Sequence, residues 1–461
     1  MESHGAVVDN WYNTVETAAG NVWLATTDPY DVEGATQPLV SGTTSFAIKM
    51  VQAGNQTIYV HTNSGYAEMS VSNIPIVAGS ANRVLVLLEG ETYKPGKPPY
   101  TTGSGTGGKQ EPDTPSSQVA GDPFAVTVYA TDAYWNLAVS NLTATLSAPN
   151  DPNPLGTGNR TLVNGATTYS VTLYKAVDYN GFSQYFTAVV AGLASPNYQT
   201  PNFTMYPDTL GARKLRMRFP GVSVAPGTAA GKTGTPTGPA PDGDFIAGHG
   251  VSITIEATDS WGNILDDNPT VTFTTDDPFD APDPRSVPLT NGVSTFVHVF
   301  VTERTDDVDE ETTPTVTAST ASVFGYTSQS VAVGVDDDDT VRNLQILIQG
   351  ETAVPGSGVW PYGGKTGVPD GDLGKSGIQN FSAGQNINIT VRAVDNYFNL
   401  VEFPQVGNPQ ISISATDPFV DDPLVVNAPM TKGRMTTTIQ LRTNNTFPGW
   451  ILTSSGAAGG F

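Results

Sequence analysis

A five-residue motif returns four times along the 461 residues, and it limits what the chain can fold into more than any other feature. It reads Asp9-Asn-Trp-Tyr-Asn13, Asp132-Ala-Tyr-Trp-Asn136, Asp259-Ser-Trp-Gly-Asn263 and Asp395-Asn-Tyr-Phe-Asn399, at intervals of 123, 127 and 136 residues. A second landmark keeps step: Gly42-Thr-Thr-Ser-Phe46, Gly165-Ala-Thr-Thr-Tyr169, Gly292-Val-Ser-Thr-Phe296 and Gly433-Arg-Met-Thr-Thr437. Between them stands an Asp-Pro pair at Asp28, Asp277 and Asp417, with Asp151-Pro-Asn as a degenerate copy. Three landmarks in fixed order, four times over, mark tandem repeats of one structural unit.

Each repeat alternates with the period of a strand. Phe124, Val126, Val128 and Ala130 fall on one face of the segment 124–132, and the segments 251–257 and 387–393 read the same way. Short strands of this kind, separated by turns, make sandwiches or barrels. The 48 glycines and 35 prolines supply the turns, and Val and Thr suit the pleated segments between them. We therefore expect an all-β chain of tandem immunoglobulin-like sandwiches in a linear string, each of seven or so strands and with little helix. The expected boundaries are 1–82, 83–212, 213–341 and 342–461, each later repeat opening on an apolar strand near Val84, Leu215 or Leu344.

The segment from Val251 to Ser319, with its Ala-Thr-Asp-Ser-Trp-Gly-Asn turn and its later Gly-Val-Ser-Thr-Phe strand, resembles the bacterial immunoglobulin-like repeats of invasin- and intimin-type surface proteins. The other repeats join through the internal alignment, although Tyr12, Trp135 and Phe398 replace the turn glycine. The resemblance implies rigid spacers and adhesive stalks, or wall material of a surface array, outside the cell. Three repeats add a Gly/Pro-rich insertion before the core strand, running through Gly90–Lys109, Gly221–Lys232 and Gly350–Lys365 to a Pro-Asp pair at Asp113, Asp242 and Asp370. Insertions of that length carry function when they recur with fixed landmarks.

Net charge is −23, with 44 acidic and 21 basic residues, which disfavours nucleic acid as a partner. The chain has no cysteine, so disulfides and thiolate chemistry are excluded. No apolar run is long enough for a membrane-spanning helix. The N-terminal Met-Glu-Ser-His-Gly-Ala-Val-Val is not a signal peptide, leaving open either a removed leader or a piece of a longer chain. Gly231-Lys232-Thr233 and Gly364-Lys365-Thr366 lack the upstream glycine of a phosphate loop, and His4, His61, His249 and His298 neither repeat nor take metal-ligand spacing.

Calcium is the one cofactor the residues suggest, because it takes hard oxygen ligands. The candidates are Asp336, Asp337, Asp338 and Asp339 at a junction, and the loop pairs Asp242 with Asp244 and Asp370 with Asp372. Asp276, Asp277 and Asp280 are further acids to weigh. Solvated linkers and plain turns offer the same carboxylates. The turn Asp and Asn residues are expected to fix a corner, and Trp11, Trp135, Trp261 and Phe398 to plug the end of the core. Sugar stacking is the alternative for these aromatics.

The expected role is a structural segment of a surface filament, stalk or surface layer, with no catalytic residues and with copies of itself or neighbouring repeats as partners. A glycan-binding adhesin and a non-catalytic stalk of a secreted hydrolase are the alternatives. Repeat 1 begins at its turn motif and repeat 4 stops near Trp450, so strand exchange between chains and a longer repeat protein both stand as readings.

Overall fold

The computed structural model describes residues 2–101, 105–304, 313–340, 342–402, 409–445 and 449–456. The protein is 45% strand and 1% helix, a series of tandem immunoglobulin-like sandwiches. It forms two compact units, Met1–Thr209 with Pro226–Ala229, and Leu210–Ala225 with Ala230–Phe461.

In the first unit, Pro123–Thr131 is the central strand of a sheet, antiparallel to Arg83–Leu88 on one side and Ala166–Thr172 on the other. The facing sheet runs Gly158–Thr161, Thr143–Ser147, Thr187–Val190, Asn197–Gln199. Phe124, Val126, Val128 and Ala130 are all buried, as their alternation requires. Repeat 1 has a four-stranded sheet of Gln37–Pro38, Asn21–Thr26, Gly54–Thr62 and Met69–Ile76. Against its core of Val22, Leu24, Phe46, Ile48 and Ile58 lies the antiparallel pair Glu2–Ala6 and Thr43–Ala47.

In the second unit, repeat 3 joins Val293–Val299, Gly250–Asp259, Arg213–Arg218 and Tyr326–Thr327 in one sheet. Its second sheet is Arg285–Pro288, Thr270–Thr275, Thr315–Thr320 and Gln329–Ala332. Ile253 and Ile255 from the first meet Val271, Phe273, Val316 and Ala318 from the second in one core. At about 1.5–3 kcal/mol for each large apolar side chain removed from water, this contact is the main stabilising term of the repeat. Repeat 4 packs Asn343–Ile348, Asn386–Val394 and Arg434–Gln440 over Val425–Pro429, Gln410–Ala415 and Leu452–Gly456.

Among the described residues, the insertions pair as hairpins. Glu351–Ala353 pairs with Lys365–Gly367, Ser223–Val224 with Lys232–Thr233, and Tyr93 bridges to Lys109. The lysine of the Gly-Lys pair closes the hairpin on the glutamate that opens it: Lys109 Nζ and Lys365 Nζ lie 2.8 Å from Glu91 and Glu351. These glutamates also accept the N–H groups of Leu88 and Ile348, each at 2.9 Å.

The hairpins correct one expectation. Trp135 and Phe398, 1% and 2% exposed, do not plug the core end. They lie beneath the returning Gly-Lys strand, beside Leu85 in the second repeat, on the outer face of the opening strand. Trp135 Nε1 donates to the carbonyl of Pro99 at 2.8 Å, and Tyr93 Oη to the Trp135 carbonyl at 2.5 Å. Trp11 and Tyr12 of repeat 1 are instead 80% and 82% exposed. Repeat 3 has Gly262 at the fourth motif position, and Arg216 occupies the space, donating to the carbonyls of Gly231 and Gly262 at 2.7 Å and to Glu256.

Gly364 shows how tight the cover is. Its φ is +72°, and a Cβ there would stand 2.0 Å from Phe398 Cγ. Gly364→Ala should destabilise the second unit by about 1–3 kcal/mol through overpacking and backbone strain, read as a lower urea midpoint at unchanged m-value.

Candidate functional site

Within each unit, the repeated landmarks meet at the joint between its two repeats. The turn motif forms first. Asp132 Oδ1 accepts the N–H groups of Tyr134 and Asn136 at 2.8 and 2.9 Å, and Asn136 Nδ2 returns to Asp132 Oδ2 at 3.0 Å. Asp395 does the same with Tyr397 and Asn399, and Asp9 with Trp11 and Asn13. The fourth residue pays for this corner with a left-handed backbone: Tyr12, Trp135 and Phe398 each have φ of 66°.

The Asp-Pro aspartate shapes the other half. Asp28 Oδ2 accepts two consecutive N–H groups, from Val51 at 2.6 Å and Gln52 at 2.8 Å. Asp151, from the degenerate copy, holds Tyr174 and Lys175 at the same two distances. Asp277 takes the Thr302 N–H at 3.1 Å and its hydroxyl at 2.9 Å. Asp417 holds Arg442 and Thr443 at 2.7 and 3.0 Å. Burial works against the Asp417 charge, but the Thr443 hydroxyl and the N–H groups of Phe419, Arg442 and Thr443 hold its carboxyl down at about 2.

In repeats 1 and 3 the loop so held faces the next repeat of the same unit, whose motif asparagine reads it. Asn136 Nδ2 donates to the Val51 carbonyl and Asn136 Oδ1 accepts from the Ala53 N–H, both at 2.8 Å. Asn399 repeats this with the Val301 carbonyl and the Glu303 N–H, both at 2.9 Å. Two of the motif aspartates add a bond to the linker between repeats: Gly79 N–H to Asp132 Oδ2 at 2.9 Å, and Asp338 N–H to Asp395 Oδ2 at 3.5 Å. A third contact comes from the Pro-Gly turn of the insertion. Gly96 and Gly356 donate to the motif carbonyls of Tyr134 and Tyr397 at 3.0 and 2.8 Å. Both press on the held loop, at Gln52 and Thr302, so closely that no Cβ would fit. Burial separates the copies electrostatically. It raises the carboxyl of Asp395, whereas hydrogen bonds from Asn13 and Trp11 lower that of exposed Asp9.

The calcium candidates divide. Asp242 Oδ1 accepts the Asp244 N–H at 3.0 Å, and Asp370 Oδ1 those of Asp372 and Gln379 at 3.0 Å. Asp372 pairs with Lys375 at 3.0 Å. Asp338 closes its own turn through Thr340 and lies 3.4 Å from His249, and Asp339 is exposed. Asp336 and Asp337 do come together with a third acid, Glu303, which sequence reasoning missed because it lies 33 residues earlier. Aligning the aspartate-held loops, which sets Glu303 against Ala53, would have found it. Asp280 instead meets His298 at 3.2 Å in a buried pair, inside repeat 3.

No protein-family model and no curated protein matches the sequence. Among solved structures, the chain is similar to a C-terminal 282-residue fragment of intimin in complex with the intimin-binding domain of the translocated intimin receptor. Identity is 15%, over 51% of this chain and 64% of that one, with a TM-score of 0.17. The chain thus spans less than two thirds of that fragment. It is also similar to FdeC, an Escherichia coli adhesin, at 14% identity over 80% of this chain and 91% of that one, with a TM-score of 0.27. The fibronectin(III)-like modules of Clostridium thermocellum CbhA match at 11% identity, over 50% of this chain and 93% of those modules, with a TM-score of 0.15.

Asn399→Ala should cost about 1–3 kcal/mol of stability in the second unit, since it leaves a part-buried N–H and C=O without their partner at the joint. Asn13→Ala, at the exposed copy, should change stability by less than about 0.5 kcal/mol. Urea unfolding of the two variants measures both.

Proposed function

We propose that this chain is a structural segment of an extracellular surface protein, with repeats at 1–82, 83–212, 213–341 and 342–461 serving as spacer and assembly unit of a filament, stalk or surface layer. The observation that carries the proposal is the recurrence of one joint. Asn136 and Asn399 use the same two side-chain atoms to hold equivalent backbone groups of the repeat before them. A joint that fixes its neighbour through main-chain atoms tolerates changes in surface sequence, as a spacer requires. Among the described residues no helix is long and apolar enough to cross a membrane. No catalytic chemistry enters this reading.

The joint has two exposed halves that support self-assembly. Repeat 1 presents Asp9, Trp11, Tyr12 and Asn13 in the geometry that Asp132 to Asn136 uses for docking. Repeat 4 presents the Asp417-held loop of Arg442 and Thr443. In this reading the loop that Asn13 grips comes from a second copy or from a neighbouring repeat of a longer chain. The same exposed aromatic pair is the observation that favours a glycan-binding adhesin as the second reading.

The absence of cysteine makes a clean test available. In an Asn13→Cys/Asn444→Cys variant, a short bis-maleimide linker should yield a ladder of covalent multimers, and monomer alone would contradict assembly. Antibody labelling of intact source cells should place the chain on the outer surface. Sugar binding on a glycan array, lost in Trp11→Ala, would instead establish the adhesin reading.

A further inference from the structure

The joint between repeats 3 and 4 carries acids where its counterpart between repeats 1 and 2 carries neutral residues. Two equivalent hydrogen bonds fix the alignment. Glu303 and Ala53 donate to Asn399 and Asn136, while Asp338 and Gly79 donate to Asp395 and Asp132. Counting back one and two residues sets Asp337 against Ala78 and Asp336 against Val77. The clasp therefore forms with Ala53, Val77 and Ala78, so its two shared bonds do not require carboxylates at these positions; Asp336 Oδ1 accepts the Asp337 N–H at 3.0 Å.

The three acids converge. One oxygen from each of Glu303, Asp336 and Asp337 lies within 4.8 Å of the others. Asp337 is only 8% exposed, and its Oδ2 has no hydrogen-bond donor. A buried carboxylate with an oxygen that has no donor, beside two further carboxylates, is unfavourable unless something positive joins it. Burial comes first, then the charges of Glu303, Asp339, Asp336 and Asp395, in pushing the Asp337 carboxyl up to about 9.

We propose that Glu303, Asp336 and Asp337 bind one calcium ion, which ties the aspartate-held loop of repeat 3 to the linker leading into repeat 4. The chemistry selects the ion. Three carboxylate oxygens within 4.8 Å of one another suit calcium, which takes oxygens at about 2.3–2.6 Å in flexible geometry, better than magnesium, which needs about 2.1 Å and near-ideal octahedral geometry. Transition metals prefer imidazole or thiolate, and the donor set is all carboxylate. Binding to the folded joint stabilises it by mass action. Repeats 1 and 2, with neutral residues at the same positions, hold their joint without this ion.

The test is calorimetric titration of calcium chloride into the full chain, with thermal melting in calcium and in excess chelator. The wild type should show one saturable site and a higher melting temperature in calcium. Asp337→Asn should lower the affinity at least tenfold. The double variant Glu303→Ala/Asp337→Ala copies residues of the joint between repeats 1 and 2. It should fold by circular dichroism and melt at the same temperature with and without calcium. Magnesium should bind at least tenfold more weakly. No saturable site in the wild type, or an equal calcium response in both variants, would overturn the proposal. The second outcome would assign the effect to the general negative charge of the chain.

Discussion

Two adjacent backbone N–H groups that turn toward one carboxylate set the geometry on which the joints rest. A loop leaving the end of a sandwich has polar main-chain groups that must find partners once another repeat covers them. Asp28, Asp151 and Asp417 each supply that partner through Oδ2; in repeat 3 the task is divided, Asp277 accepting the Thr302 N–H and hydroxyl and Asp280 the Val301 N–H. The held loop then offers a carbonyl and an N–H two residues apart, a spacing that one asparagine amide matches as acceptor and donor together. Aspartate, with no donor, would satisfy only the N–H of the pair.

The same turn dictates the insertions. A left-handed residue at the fourth motif position turns its side chain onto the outer face of the opening strand, where a large aromatic would stand in water. The hairpin covers it, and glycine at 108 or 364 is what lets the backbone come close enough. Repeat 3 meets the constraint in another way. Gly262 leaves a gap that Arg216 fills, with its charge balanced by Glu256, which also binds Arg218. A buried guanidinium is costly alone but tolerable when its donors meet two carbonyls and a carboxylate.

The sandwich class was legible because period-two alternation at 124–130, 251–257 and 387–393 states which face is buried, and those residues are buried. The corner-fixing role of the motif aspartates was also legible, since local side-chain-to-backbone bonds depend on short separations alone. What lay hidden was everything joining distant segments. Nothing near Asn136 says that it reaches Val51, 85 residues away. Trp135 and Phe398 were misplaced for the same reason: their cover is a hairpin whose lack of strand pattern concealed its order. The aspartate run 336–339 was visible as charge, but only two of its members converge on Glu303, because Asp338 is held by Thr340 and Asp339 faces solvent.

The central claim is that the asparagine clasp is a persistent part of the native state. Native-state hydrogen exchange of the dilute wild-type chain tests it residue by residue, because exchange requires the bond to open. The amides of Ala53 and Glu303, gripped by Asn136 and Asn399, should exchange about a hundredfold or more slowly than that of Asn444, the same position in repeat 4. Exchange of all three at a common, loop-like rate would contradict the account.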